Sequence, residues 1–189
     1  MNMKIAMGAG VAALVSVVIG LVVAAGAAER TTIIGYDRYV FGMSLKTMLA
    51  AEPQFHTTTT PEWLRKFEAV TYEREGTVDL GPDMLPQPGS IRLAFIQNHL
   101  AFIDIEMRGQ PAYQPDTSSS QNDLWHAVRS AIMGAYSRSL ISLDDQRDGH
   151  ERLVLHDEWG DMLRATRAGD HVSVQFLIDR LARVEGGGF

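Results

Sequence analysis

Ile91-Arg92-Leu93-Ala94-Phe95-Ile96-Gln97-Asn98-His99-Leu100-Ala101-Phe102-Ile103 is the stretch whose reading decides the fold. Ile91, Leu93 and Phe95 alternate with other side chains at period two, which places one face of a strand in a core. Leu100 to Ile103 resumes the apolar run, and Gln97-Asn98-His99 between them is a short link with a turn-tolerant asparagine. The stretch predicts a β-hairpin. Val172-Ser173-Val174-Gln175-Phe176, four further residues and then Leu181-Ala182-Arg183-Val184 repeat the pattern without a gap. Each half of the chain is therefore expected to close with a hairpin.

Helix patterns lie upstream of both runs. Ser44 is placed to cap a short helix whose apolar face is Leu45, Met48 and Leu49 and which Pro53 stops. Leu124, Trp125, Val128, Ala131, Ile132 and Ala135 fall at helical spacing behind Asn122 and Asp123, which read as caps. Further strands are expected over 67–73, 140–143, 153–158 and 162–166, with Asp148-Gly149 and Ala168-Gly169-Asp170 as turns. The order of helix, then antiparallel strands, thus occurs twice. The expected fold class is α+β: an N-terminal apolar helix over 1–28, then two related helix-plus-antiparallel-sheet modules in tandem over 29–108 and 122–185. A Pro- and Ser-containing linker over 109–121 joins them, and 186–189 is a flexible tail.

Phe41-Gly42-Met43-Ser44-Leu45 opens the first helix, and strands follow it. This phrase, in this order of elements, resembles the small envelope modules of the outer-membrane assembly lipoprotein type. Two of them in tandem resemble the β-lactamase inhibitor protein architecture. The resemblance implies a non-catalytic protein that offers a sheet surface to another protein. The chain departs from those lipoproteins in having no cysteine to carry a lipid.

The amino-terminal sequence speaks to location. After Lys4 no charged residue occurs until Glu29, and the run from Ile5 to Val23 is rich in Val, Ala, Ile and Leu. That run is longer than the about 7–15 residues of a secretory core and close to the about 20 of a membrane span. Ala25-Gly26-Ala27 offers a small-x-small cleavage pattern. Gly8, Ala12, Ser16 and Gly20 would form one smooth helical stripe against which a second membrane helix could pack. Two readings stand, a cleaved signal peptide or an uncleaved anchor that engages the membrane through residues 5–23. In both, the body of the chain is exported, to the periplasm or the outer face of the cytoplasmic membrane.

Composition narrows the remaining functions. The net charge of -6 argues against a surface that tracks phosphates, so no nucleic-acid partner is expected. With no cysteine there is no disulfide framework, and stability rests on packing. The acidic run from Asp144 to Glu151 is not a calcium loop, because position three is Gln146 and position twelve is Leu155. It reads as a hairpin tip around Asp148-Gly149.

His156 and Glu158 share a face of an extended strand about 7 Å apart and would need a third metal ligand from a neighbouring strand, for which His171 is the candidate. The alternative is a solvated face opposite Leu153, Leu155 and Trp159. No nucleophile elbow, His-Glu-x-x-His or phosphate loop occurs in the sequence. No catalytic residue and no cofactor are assigned.

Trp125 on its helix and Trp159 on the leucine face of a strand are expected in the core. Trp63, beside the threonine-rich loop Thr57 to Thr60, is the candidate exposed anchor at an interface, and Phe189 ends a Gly-rich tail that a carboxylate-binding groove would accept. The functional expectation is an exported protein-interaction or accessory subunit. The alternatives are a module holding a small or peptide ligand between two sheets and, third, a metal-dependent enzyme.

Overall fold

A computed structural model describes residues 30–78, 80, 86–109, 120–147 and 150–186. The apolar segment with Gly8, Ala12, Ser16 and Gly20, most of the 109–121 linker, and Phe189 lie outside these residues. Among the described residues no helix is long and apolar enough to cross a membrane.

The chain is α+β. A two-stranded hairpin, β1 (Gly35–Tyr36) and β2 (Tyr39–Val40), precedes α1 (Leu45–Ala51) and β3 (His56–Thr58). Then come α2 (Glu62–Arg65), β4 (Val70–Val78), β5 (Gln87–Ile96) and β6 (His99–Arg108). After α3 (Ser120–Ala135), the strands β7 (Ile141–Arg147), β8 (His150–His156), β9 (Met162–Ala168) and β10 (His171–Leu177) run to α4 (Asp179–Gly186). Strands β3 to β10 form one eight-stranded antiparallel sheet in the order β3-β4-β5-β6-β10-β9-β8-β7. The strands before and after α3 meet at β6 and β10, from Arg108 opposite His171 to Phe102 opposite Leu177. One continuous sheet replaces the two expected, so the space between two sheets that the ligand-binding alternative needs has no counterpart among these strands.

Local signals account for much of this. Ser44 caps α1, its hydroxyl accepting from the Thr47 N–H at 3.1 Å, and the helix ends before Pro53. Gly42, at φ +83, turns the preceding chain so that its N–H reaches the Leu100 carbonyl at the start of β6. Gln97 and Asn98 both take positive φ and close the β5–β6 hairpin in two residues. The α3 helix begins at Ser120, so Asn122 and Asp123 lie within its first turn rather than at its cap.

The second expected hairpin is corrected. Leu181 to Val184 belongs to α4, not to a strand. Those four residues carry no period-two alternation, Asp179 and Arg183 pair one helical turn apart, and Leu181 is fully buried. By position, β10 is the last strand of its set, as β6 is of its own. The gapless likeness of 172–184 to 91–103 therefore does not match equivalent elements.

The two faces of the sheet are covered unequally. On one, Ile91, Leu93, Phe95, Ile103, Ile105, Leu163, Val172 and Val174 pack with Met48 of α1 and Leu124, Trp125, Val128 and Ile132 of α3. On the other, Leu64 of α2 and Leu181 of α4 cover one end, against Ala94, Ile96, Phe102, Met162 and Leu177. Fully burying a side chain such as Val128 or Leu64 is worth about 1.5–3 kcal/mol, so these two clusters hold the helices on the sheet.

Candidate functional site: the open face of the sheet

Beyond the edge of α2 and α4, the second face carries polar side chains in cross-strand rows. Register places His56, Glu73, Arg92, Asp104, Gln175, Arg164, Val154 and Leu143 in one line across all eight strands. The next line reads Glu75, Ser90, Glu106, Ser173, Thr166, Arg152 and Asp145. At about 4.8 Å between strands, the first row is roughly 34 Å long.

Asp104 is the centre of this surface. Its side chain is only 6% exposed, accepting from Arg92 Nη1 at 3.1 Å on β5 and from Ser173 Oγ at 3.0 Å on β10. Arg92 also reaches Glu73 at 3.3 Å and Glu106 at 3.8 Å. Gln175 Oε1 accepts from Arg164 Nε at 3.0 Å. Burial pushes the Asp104 carboxyl above the usual carboxylate range and Glu106 adds to the effect, while Arg92, Ser173 and Gln175 oppose it. The network thus bridges the two sets of strands through polar groups, where a lone charge would be too costly to bury.

A shallow depression of about 160 Å³ opens beside this network, lined by Glu106, Thr166, Ala168, His171, Val172 and Ser173. That volume is below the range of about 300–1,000 Å³ usual for small-molecule pockets. The chemistry available is hydrogen bonding and charge pairing over a broad sheet surface.

The structure separates the proposed metal ligands. His156 is level with Met162 and, through it, with Leu177, whereas His171 lies six residues away along β10, about 20 Å. His171 instead pairs with Asp170 at 3.3 Å. His156 and Glu158 are exposed, and among the described residues no group of three such ligands occurs.

The tryptophans are also redistributed. Trp63 is half-buried, edge-on to Phe102 with ring centroids 5.2 Å apart, and packs on the smaller core cluster. Trp159, expected in the core, is 69% exposed. Strand β8 ends at His156, so the period-two pattern through Leu153 and Leu155 stops before Trp159, which stands on the turn to β9.

Asp157 builds that turn. Its Oδ1 accepts from the N–H groups of Trp159 and Asp161, each at 3.0 Å, and Gly160 takes φ +84. Asp161 Oδ1 accepts from the Asp179 N–H at the start of α4. Burial raises the Asp161 carboxyl above its ordinary range, opposed by the Asp179 N–H.

The Asp104 row was not singled out from the sequence. Its trace is there as polar residues at alternate positions inside apolar strands, Arg92 between Ile91 and Leu93 and Asp104 between Ile103 and Ile105. Compared with family models, with curated proteins and with solved structures, the chain finds no match.

Proposed function

We propose that this protein is an exported, non-catalytic accessory subunit that presents the open face of its sheet to a protein partner. The observation that carries the reading is the pair of cross-strand rows through Asp104 and Thr166, polar along most of their length, with Val154 of the first row joining the smaller core cluster. Such a surface, broad and rich in pre-positioned hydrogen-bonding groups, suits recognition by complementarity more than enclosure of a substrate. The helix-then-strands order of each set supports two related modules in tandem, and with them the resemblance to envelope modules that bind other proteins. The apolar run of residues 5–23 supports export to the periplasm or attachment at the outer face of the cytoplasmic membrane, with the sheet outside.

The test is purification of the full chain from its native membranes in mild detergent, beside Thr166→Arg. Thr166 lies mid-row between Ser173 and Arg152, so a long cation there obstructs the surface without entering either core cluster. The expected result is a stoichiometric protein companion that the variant loses at least tenfold while its unfolding midpoint stays the same. A companion retained equally by both forms, or none at all, overturns the reading.

A further inference from the structure

We infer that the end of the sheet bearing Trp159 rests on the surface of a zwitterionic lipid bilayer, with the indole at headgroup level. The inference deepens the proposed function and rests on its membrane-attached form. Three observations carry it.

First, Trp159 is the most exposed large apolar side chain among the described residues, and it stands on a turn whose backbone Asp157 holds. Second, the stretch that follows the apolar segment in sequence runs beside Trp159. The Arg30 N–H donates to the Ala135 carbonyl, and the Ile33 N–H donates to Asp157 Oδ2 at 2.8 Å, two residues from Trp159. Ile34, the next residue, is 50% exposed. Third, the apolar run from Ile5 ends at Val23, ten residues before Ile33, and no charge follows until Glu29. An extended chain covers at most about 36 Å in ten residues, so a span over 5–23 keeps the Asp157 turn within that reach of the bilayer.

The surroundings of the indole choose lipid over protein. A tryptophan that anchors a protein interface sits centrally in a ring of contacts that excludes water. Trp159 is flanked instead by Glu158, Gly160 and Asp161. An indole on a polar turn, with Ile34 exposed at the same end, matches the headgroup layer, where one end of the ring is apolar and its N–H is hydrated. Exposed Glu158 would be repelled by anionic lipid, which is why the matching headgroup is zwitterionic.

The experiment places the full chain in phosphatidylcholine vesicles with and without brominated acyl chains, alongside Trp159→Phe. Flotation reports attachment, and the wild-type signal minus that of Trp159→Phe isolates Trp159 from Trp63 and Trp125. The expected result is that both proteins float, and that the Trp159 component is quenched by brominated lipid and shielded from aqueous iodide relative to detergent. Flotation with Trp159 still open to iodide overturns the docking while leaving the anchor intact. Shielding from iodide without quenching by lipid assigns Trp159 to a second copy of the chain and likewise overturns it. Failure of both proteins to float removes the anchor, and the inference with it.

Discussion

The backbone N–H of Ile33 donates to Asp157 Oδ2 at 2.8 Å, tying together residues 124 positions apart. The same carboxylate accepts from Trp159 and Asp161 and is 8% exposed. One side chain therefore sets the path of the segment that leads into β1 and the shape of the β8–β9 turn. Its polar partners are satisfied only while it stays there.

Replacing Asp157 with alanine leaves these N–H groups without their acceptor. We expect Asp157→Ala to lower stability by about 2–4 kcal/mol, with Asp157→Asn recovering part of the loss through its remaining carbonyl oxygen. Urea unfolding of the three proteins measures this. An alanine variant as stable as the wild type would show that the bond to Ile33 contributes nothing.

Arg167 and Glu151 face each other on β9 and β8, with Nη1 to Oε1 at 2.9 Å and side chains 10% and 13% exposed. Removing one partner strands a desolvated charge. Arg167→Leu alone is expected to cost about 3–5 kcal/mol, whereas adding Glu151→Leu should bring stability to within about 1 kcal/mol of wild type. A double-mutant cycle with no coupling between the two changes contradicts this.

The raised pKa of Asp104 has a definite sign. Its folded-state value lies above the unfolded one, so between the two the native state binds more protons and stability falls as pH rises. Comparing wild type with Asp104→Asn cancels the matching contribution from Asp161, which is raised as well. The stability of wild type minus that of the variant should increase on acidification from neutral pH toward pH 4, by no more than about 1.4 kcal/mol per pH unit. A difference that shrinks on acidification means that the ion pair with Arg92 outweighs burial.

Gly89 sits on β5 where an added Cβ would run into the Glu106 carbonyl oxygen of β6. That oxygen is main chain within the sheet and has little freedom to give way. Gly89→Ala is expected to cost roughly 2 kcal/mol or more, whereas Gly134→Ala, where a Cβ on α3 meets nothing within 4 Å, is expected to stabilise by up to about 1 kcal/mol through helix propensity. Thermal unfolding of the two variants tests the contrast.

Several elements were legible because they are written in local periodicity. Ile91, Leu93 and Phe95, Val172, Val174 and Phe176, and the helical spacing from Leu124 to Ile132 each lie on the buried side that their pattern requires. The errors arose where a pattern was carried past the end of its element. Extending the strand through Leu155 put Trp159 in the core, and copying the first hairpin onto 181–184 hid a helix. The open polar face was illegible for a different reason: alternation defines two faces of a strand but does not say which one another element will cover.

The sequence by itself determined the α+β class, the cap of α1 at Ser44, the main strands and the apolar face of α3, because backbone geometry imposes their periods over a few neighbouring residues. Only the tertiary structure decided that β10 joins β6, that Ser173 meets Asp104 across 69 positions, and that the strands form one sheet. It also decided that Asp157 is buried and Trp159 exposed. Those outcomes depend on which distant surfaces find cover, and the balance of burial against desolvation that settles them is struck between segments that no local pattern connects.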